Sequence, residues 1–293
     1  MQCEGYDKAR QRQVAPPPDG AMLRHAGPRS APQDWSVHGD PFVIAVSHLT
    51  KTYGDLKAVN DLTFGVAPGE IVGLIGPNGA GKTSTLRCIV GIQRPTAGQV
   101  TIGGHDIAKA PVEAKRDLAF MADEPHLFEY LTVSEHLQLT ARIYKVRDVD
   151  AKAKALLEEL ELTDKANSLP GELSRGMKQK VAIACGLLHD PAALLFDEPL
   201  TGLDPLGIRR MRQTIVTRGQ NGGAIIVSSH LLQLVEEICT RIVIINRGVK
   251  VADGTMAELA AQAQGAGPGS NLEQIFLTVT AGEQAAGPVG SAP

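Results

Sequence analysis

The sequence predicts an α/β fold built on a mainly parallel sheet, and three observations lead to that prediction. From Phe42 onward, apolar runs of strand length alternate with helical segments, as in folds that cover a parallel sheet with helices. A glycine-rich turn at 76–83 separates one such run from the helix that follows it. The stretch 131–188 reads as entirely helical and is too long for a crossover, so we expect a helical subdomain inserted into the core.

The first half of the chain begins with a predicted disordered leader and then supplies strands and helices in turn. Residues 1–41 are rich in proline and charge, and they show no apolar periodicity on which a core could form. Short apolar runs then predict strands at 42–49, 70–75, 99–102 and 118–121. Helical patterns among or after them predict helices at 83–90, 133–144 and 151–160.

The second half continues the alternation and ends in a tail of different composition. We predict helices at 175–188, 206–217 and 231–239, and strands at 192–196, 224–228 and 241–246. Beyond residue 259 the chain becomes rich in Ala, Gly and Gln, and we expect one short helix near 272–277 in an otherwise frayed tail. The predicted organisation is therefore a leader at 1–41, a folded domain at 42–260 with its helical subdomain at about 122–190, and a tail at 261–293.

Composition excludes several classes of protein. A chain of 293 residues with 43% hydrophobic residues can bury a full core, so a peptide hormone, a disulfide-stapled module and a fibrous protein are excluded. Lys+Arg 29 against Asp+Glu 32 is not the basic excess that phosphate-backbone binding needs, so we expect no nucleic-acid partner. The four cysteines are widely spaced and predict free thiols in a reducing compartment. No apolar run reaches bilayer-crossing length, and the N-terminus lacks a secretory signal pattern.

The glycine-rich turn matches the phosphate-loop pattern. It comprises Gly76, Pro77, Asn78, Gly79, Ala80, Gly81, Lys82 and Thr83. Glycines let consecutive backbone N–H groups converge on phosphates, and the dipole of the following helix adds partial positive charge. Lys82 would reach the β- and γ-phosphates, and the Thr83 hydroxyl would bind Mg²⁺. A coincidental glycine turn is the alternative, but the strand before the loop and the helix after it favour nucleotide binding.

Two adjacent carboxylates end the apolar strand at 192–196. Buried strands seldom carry adjacent acids unless a cation or a reaction needs them, because an unpaired buried charge is costly. Successive strand side chains point to opposite sides, so Asp197 and Glu198 cannot share one task. We assign Asp197 to the Mg²⁺ shell and Glu198 to the general base that deprotonates the attacking water. The alternative is a solvated strand end.

Four further motifs resemble those of the ATP-binding cassette of ABC transporters, and the similarity covers about residues 42–259. Residues 173–177, Leu-Ser-Arg-Gly-Met, stand where this family has its signature LSGGQ, and we call them the signature segment. Asp204 in Gly-Leu-Asp-Pro matches the family loop that crosses a dimer interface. His230 matches the family's switch histidine at the γ-phosphate, and Tyr53 matches the aromatic residue that stacks on adenine. Taken alone, His230 also fits a surface loop, and Tyr53 a strand-end tyrosine.

The resemblance implies a P-loop NTPase core, an N-terminal antiparallel β subdomain and the inserted helical subdomain, together forming an ABC ATP-binding domain at 42–260. It implies ATP and Mg²⁺ as cofactors. The implied ATP-binding residues are Tyr53, Gly76, Pro77, Asn78, Gly79, Ala80, Gly81, Lys82, Thr83, Ser84, Ser174, Gly176 and Asp204. The implied catalytic residues are Lys82, Glu198 and His230. The implied Mg²⁺ ligands are Thr83, Asp197 and Asp123.

The signature segment departs from the family pattern. Arg175 replaces the first family glycine, Met177 replaces the glutamine, and Asp123 occupies the place of a lid glutamine. Ser174 is a good N-cap, so the signature segment is a second helix N-terminus able to face anionic oxygens. In the family the two helix ends at one nucleotide come from different protomers. The resemblance therefore implies a head-to-tail dimer that encloses two ATP molecules, although an ordinary helix cap is the alternative reading of this segment.

The expected function is the ATPase subunit of a transporter, with export as the expected direction, at the cytoplasmic face of the cell membrane. Its expected partners are a second ATPase subunit, identical or different, and a separate integral membrane permease subunit. Two alternatives remain open from sequence: a soluble ABC ATPase that does mechanical work without transport, and a nucleotide-sensing regulatory subunit with little turnover. Phe128 and Tyr130 are candidate partner contacts, and packing in the core or rim is their alternative.

Overall fold

The structure is a computed structural model that describes residues 41–262 and 271–285, with side chains up to residue 280. The predicted leader up to residue 40 lies outside the described residues, as do residues 263–270 and 286–293 of the predicted tail. None of the helices within the described ranges is long and apolar enough to cross a bilayer.

Two sheets form the framework. The first is antiparallel in the order β2-β1-β4-β5. Its strands are β1 (Ile44–Tyr53), β2 (Leu56–Val66), β4 (Ala97–Ile102) and β5 (His105–Asp106). The second sheet has the order β10-β9-β3-β8-β7-β6 and is parallel except for β10, which confirms the predicted mainly parallel sheet. Its strands are β3 (Ile71–Ile75), β6 (Leu118–Met121), β7 (Ala193–Asp197), β8 (Ala224–Ser228), β9 (Arg241–Asn246) and β10 (Val249–Gly254).

Helices cover the sheets and form the insertion. They are α1 (Lys82–Ile89), α2 (Pro111–Arg116), α3 (Val133–Tyr144), α4 (Val149–Glu159), α5 (Arg175–Leu187), α6 (Pro205–Gln220), α7 (Leu232–Ile238), α8 (Met256–Gln262) and α9 (Leu272–Ala285). The helices α3, α4 and α5 lie between β6 and β7 in the chain, as the long helical stretch predicted. A capping box begins α3, in which the Thr132 side chain and the Glu135 side chain each accept a backbone N–H of the other residue.

The central strands are buried along their whole length. All five residues of β3, β7 and β8 are buried, which is expected of parallel strands that are covered on both faces. One apolar cluster joins the two sheets around α1, with Leu49, Leu62 and Leu86 fully buried. A second cluster joins the insertion to α6 and β7. The carboxyl ends of β3 and β7 are thus held rigidly beside the phosphate loop.

The sequence analysis missed the strands β2, β5 and β10 and the helices α2 and α8. The strand β2 escaped prediction because it exposes Lys57 and Asp61 on one side, and because its pairing with β1 is interrupted by bulges that break the alternation. The strand β10 is an outer strand whose residues are mostly half-buried. Only Ala252 and Gly254 are buried in it, so its sequence carries no apolar run that would predict a strand.

The predicted short helix in the tail is present and begins at the predicted residue, but it is longer and better packed than expected. The helix α9 extends to Ala285, and Leu272 and Ile275 are fully buried in a cluster with Val235 and Leu259. The backbone N–H of Leu272 also donates to the Glu236 carboxylate, 3.2 Å away. An apolar face that packs on α7 and β10 gives the helix the burial that its composition does not suggest.

Arg241 joins several strands at the edge of the second sheet where the parallel strands β3 and β9 begin. Its Nε donates to Asp253 Oδ1 at 2.7 Å, and its Nη1 donates to Glu70 Oε1 at 2.8 Å and to the Gly65 carbonyl at 3.2 Å. Burial by itself would raise the pKa of Asp253, but hydrogen bonds from Arg241 and Lys250 outweigh it and hold that pKa below its usual value. The ionised carboxylate is therefore part of the fold's stability.

We expect Asp253→Asn to destabilise the protein at neutral pH and to make its free energy of unfolding depend less on pH in the acid range. Because the pKa of Asp253 is depressed in the folded state, its stabilising contribution is present above the unfolded pKa and is lost as the pH falls through the folded pKa. Urea unfolding should show a loss of roughly 1–3 kcal/mol at pH 7, and a smaller loss at pH 3. The control is Asp164→Asn at an exposed position. Equal losses at both pH values would contradict the linkage.

Candidate functional site

The loop between β3 and α1 needs glycines because backbone carbonyl groups of β2 and β9 lie directly against it. Gly81 has φ +105°, and a Cβ there would lie 2.3 Å from the Ala58 carbonyl oxygen. A Cβ on Gly76 would lie 2.2 Å from the Ile245 carbonyl oxygen. Any other residue at either position would force the loop away from the strands that support it.

The β9–β10 turn supports the loop through one backbone hydrogen bond and is itself joined to β2 by another. The Gly248 N–H donates to the Ala80 carbonyl at 2.9 Å, and the Gly248 carbonyl accepts from the Asn60 N–H at 2.8 Å. The sequence analysis did not identify this support. The sequence feature that could have indicated this support is the Arg-Gly turn after an apolar strand, where Arg247 has φ +48° and Gly248 has φ +80°.

Lys82 lies along the inner side of the loop. Its Nζ donates to the Gly76 carbonyl at 2.6 Å and to the Pro77 carbonyl at 3.2 Å. Burial lowers the pKa of Lys82, and the nearby carboxylates of Glu198 and Asp197 oppose that effect. The ammonium therefore lies within the loop, held by carbonyl groups that a phosphate oxygen can replace.

A cavity of about 360 Å³ opens between the phosphate loop and the end of β7. Its lining comprises Tyr53, Leu56, Ala58, Asn78, Gly79, Ala80, Gly81, Lys82, Thr83, Ser84, Asp197 and Glu198. The loop, both predicted carboxylates and the predicted aromatic residue thus face one space. The predicted residues Gly76 and Pro77 contribute their carbonyls to Lys82 instead.

The two carboxylates differ in environment. Asp197 is 7% exposed, and burial raises its pKa, with the charges of Glu198 and Asp123 acting in the same direction. Glu198 adopts a left-handed backbone with φ +51°. Its Oε2 accepts from His230 Nδ1 at 2.8 Å and from the Ser229 hydroxyl at 3.3 Å. The structure therefore brings the predicted Glu198 and His230 into contact.

The residues fit a Mg²⁺ ion that is shared with phosphate groups. Within the described ranges, no three His, Cys, Asp or Glu side chains converge as a metal site. Mg²⁺ is usually held by one or two carboxylates together with substrate phosphates and water. The Thr83 hydroxyl and the buried Asp197 carboxylate line the same cavity, and a cation there would offset the raised pKa of Asp197. That donor set matches what Mg²⁺ requires.

Tyr53 lies at the mouth of the cavity and is 41% exposed. Its hydroxyl donates to Gln93 Oε1 and lies 3.4 Å from the Ser84 hydroxyl. Lys51 Nζ lies 5.0 Å from the ring centroid. The sequence analysis did not predict Gln93, whose position after α1 carries no motif.

The predicted residues Ser174, Gly176 and Asp204 lie outside this cavity lining. Ser174 accepts a hydrogen bond from the Met177 N–H at 3.2 Å and so caps α5. A Cβ on Gly176 would lie 2.8 Å from the Gly202 carbonyl oxygen, so α5 packs closely on the 200–204 loop. Asp204 caps α6 by accepting from the Gly207 N–H at 2.8 Å. These residues form a second group at the start of two helices.

Asp123 contacts this second group through a hydrogen bond to Arg175. Its Oδ1 accepts a hydrogen bond from Arg175 Nη2 at 3.0 Å, and both side chains are about half exposed. Two of the three departures from the family pattern, Arg175 and Asp123, therefore pair with each other. The sequence analysis named both positions but had no means to connect them.

Comparison with known proteins agrees with this architecture. The family model described as ABC transporter matches residues 59–201. EcsA of Bacillus subtilis (strain 168), an ABC-type transporter ATP-binding protein, is 35% identical over 222 residues, which are 75% of this chain and 90% of EcsA. The SkfA peptide export ATP-binding protein SkfE of the same organism is 36% identical over 224 residues, which are 76% of this chain and 93% of SkfE.

A solved structure shows the same fold. The ATP-binding subunit of an ABC transporter superposes with a TM-score of 0.77 at 35% identity, and the match covers 81% of this chain and 99% of that subunit. The resemblance expected from the motifs is confirmed, and the chain belongs to the ATP-binding proteins of the ABC transporter family.

Proposed function

We propose that this chain hydrolyses ATP to drive a membrane transporter. One observation carries the proposal: the Glu198 carboxylate, held by His230 and Ser229, lines the same cavity as Lys82 and Thr83. A base beside a phosphate loop is the arrangement that nucleotide hydrolysis requires.

Different residues bind the phosphates and accept the proton of the attacking water. The loop amides and the N-terminus of α1 bind the phosphates, while Lys82 exchanges its carbonyl partners for the β- and γ-phosphate oxygens. Glu198 orients the attacking water and accepts its proton. His230 keeps the Glu198 carboxylate in place, because its Nδ1 lies 2.8 Å from Oε2.

We propose that Thr83 and Asp197 hold Mg²⁺ when ATP is bound. The ion supplies charge neutralisation for the phosphates during transfer. Asp197 suits this position because it is buried at the end of β7, a strand that is fixed by its pairing with β6 and β8. The low exposure of Asp197 also keeps water from competing for its carboxylate.

We propose that Ser174, Gly176 and Asp204 contact the ATP that a second copy, or a related subunit, binds. The proposal is supported by their placement outside the lining of the chain's own cavity, at the first turns of α5 and α6. Closure of two such chains head to tail would bring each signature segment to the opposite phosphate loop.

We expect Ser174→Arg to block ATP-driven dimerisation far more than ATP binding by the monomer. The change removes the cap of α5 and places a bulky side chain in the proposed interface. A fluorescent ATP analogue would measure monomer affinity, and light scattering with ATP and Mg²⁺ would measure dimer formation. The matched control is Ser168→Arg, before the signature segment. If affinity and dimerisation fall by the same factor, the head-to-tail arrangement is wrong.

We further propose that the membrane partner docks against the groove between the core and the insertion. A cavity of about 700 Å³ lies there between α2 and the end of α3, and it includes the exposed side chains of Val112 and Ile143. Phe128 and Tyr130, which precede α3, are also exposed. Export as the direction is supported by the peptide export described for SkfE.

Co-purification tests the membrane assignment. A tagged chain extracted from membranes with detergent should carry a second polypeptide with several apolar spans of ~20 residues. Recovery of an active ATPase without any such chain would instead favour the soluble mechanical ATPase. Binding of ATP without steady-state phosphate release would favour the regulatory subunit.

A further inference from the structure

Gln93, in the turn that follows α1, holds the hydroxyl of the exposed Tyr53. The hydroxyl donates to Gln93 Oε1 and lies 3.4 Å from the Ser84 hydroxyl. Lys51 Nζ lies over the Tyr53 ring, 5.0 Å from its centroid, and Lys51 does not line the cavity. A tyrosine that is 41% exposed would be free to change rotamer without such contacts. Together they select one orientation of the ring at the mouth of the cavity.

The backbone of Gln93 is bound to the end of α1, the helix that begins in the phosphate loop. The Gln93 N–H donates to the Arg87 carbonyl at 3.0 Å, and the Ile92 N–H donates to the same carbonyl at 3.0 Å. The other end of this helix begins at Lys82. Gln93 therefore has a fixed position relative to Lys82, and its hydrogen bond fixes the Tyr53 ring relative to the same helix.

The backbone that carries Tyr53 is fixed by separate hydrogen bonds. The Thr52 N–H donates to Thr96 Oγ1 at 3.0 Å, and the Thr96 N–H donates to the Thr50 carbonyl at 2.8 Å. Neither bond uses the Gln93 side chain. Substitution of Gln93 should therefore release the Tyr53 ring while the end of β1 stays in place.

Tyr53 belongs to the apolar part of the cavity lining. Leu56 and Ala58 of β2 line the cavity with it. The remaining lining comes from the phosphate loop, from Ser84 and from the two carboxylates at the end of β7. The cavity thus offers polar groups to phosphates and, separately, an aromatic and aliphatic surface to a planar group. A nucleobase is such a group, and aromatic rings bind bases by stacking without reading their hydrogen-bonding edges.

We propose that Gln93 is a positioning residue for the nucleobase of ATP. It accepts a hydrogen bond from the Tyr53 hydroxyl and so keeps the ring in the orientation in which the base stacks on it. This inference rests on the proposed function of the site. Gln93 lies outside the cavity lining and acts only through Tyr53. A ring that is ordered before ATP binds lowers the entropy cost of binding, so Gln93 raises ATP affinity without contacting ATP.

The test is a double-mutant cycle on nucleotide affinity. A non-hydrolysable ATP analogue with Mg²⁺ is titrated by calorimetry into wild type, Gln93→Ala, Tyr53→Phe and the double variant. We expect Gln93→Ala to weaken binding by about two- to tenfold, which corresponds to the cost of ordering one released side chain. Tyr53→Phe keeps the ring and removes the donor, so its loss should be similar. The double variant should bind no more weakly than either single variant.

A conservative variant and a ligand without a base distinguish positioning from a structural role. Gln93→Glu keeps an oxygen acceptor at the same place along the side chain, and it should bind the analogue as wild type does. Inorganic triphosphate with Mg²⁺ carries phosphates and no base. Its dissociation constant, measured by displacement of the analogue, should be the same for Gln93→Ala as for wild type.

The matched control is Gln99→Ala, at an exposed position on β4 outside the cavity lining. It should bind both ligands as wild type does, and unfolding midpoints establish that every variant is folded. Wild-type affinity of Gln93→Ala for the analogue, additive losses in the double variant or a failure of Gln93→Glu to restore affinity would overturn the inference. An equal loss of triphosphate affinity in Gln93→Ala would also overturn it. If wild type itself does not bind the analogue, the proposed function fails instead.

Discussion

Lys82→Ala is expected to abolish ATP binding and turnover. The variant leaves the loop amides in place, but the β- and γ-phosphates lose the cation that lies against the Gly76 and Pro77 carbonyls. Loss of one preorganised charged donor lowers rates by at least about 10² to 10³. Nucleotide affinity, by titration with a fluorescent analogue, and steady-state phosphate release are measured on the same preparation.

The control for this variant is Lys154→Ala on the surface of α4, where Lys154 makes only a long ion pair of 4.0 Å with Glu158. It should bind and hydrolyse ATP as wild type does. Lys82 is half-buried in the loop, so unfolding midpoints of both variants establish that the fold is intact. If Lys82→Ala is folded and retains wild-type affinity and turnover, the phosphate site is assigned to the wrong loop.

Glu198→Gln is expected to lower phosphate release by about 10² to 10⁴ while ATP binding remains, because a general base contributes about that much to the rate. The amide keeps the shape of the carboxylate and can still accept from His230 Nδ1 and the Ser229 hydroxyl. It cannot accept the proton of the attacking water. Binding without hydrolysis should trap the closed dimer, which a sizing column with ATP and Mg²⁺ would detect.

The control for the base is Glu113→Gln on α2, an exposed glutamate away from the cavity. Its turnover should match wild type, and it should not accumulate as a dimer. A Glu198→Gln protein that hydrolyses ATP at the wild-type rate would exclude Glu198 as the base. A slow variant that stays monomeric with ATP, beside an active wild type, would leave the base in place but contradict the closed-dimer mechanism.

Elements with strong local patterns were predictable from sequence. The strands at Leu118–Met121, Ala224–Ser228 and Arg241–Asn246 and the helix Val133–Tyr144 coincide with their predicted bounds. Apolar runs and helical periodicity report burial directly when both faces of a strand, or one whole face of a helix, lie in the core. The strand β2 was missed and the helix α9 was predicted too short, because the burial of each depends on what packs against one face.

The chemistry of the cavity between the phosphate loop and β7 was also predictable from sequence, because the residues of each of its two motifs are contiguous. The loop at 76–83 is one uninterrupted motif, and Asp197 and Glu198 follow one apolar strand. Parallel strands place their carboxyl ends at the same edge of a sheet, so this topology predicts that the two motifs meet there. The cavity that the motifs line together agrees with that expectation.

Partners far apart in the chain were decided only by the tertiary structure. Sequence determined the residue types: an acid at 123, an arginine at 175, a histidine at 230 and a glycine at 248. Folding determined that Arg175 meets Asp123, that His230 meets Glu198 and that the Gly248 N–H supports Ala80. The physical reason is the range of each interaction. Periodicity and motifs record contacts between near neighbours, whereas a hydrogen bond or ion pair across 30 to 170 residues depends on how sheet order and helix packing bring remote segments together.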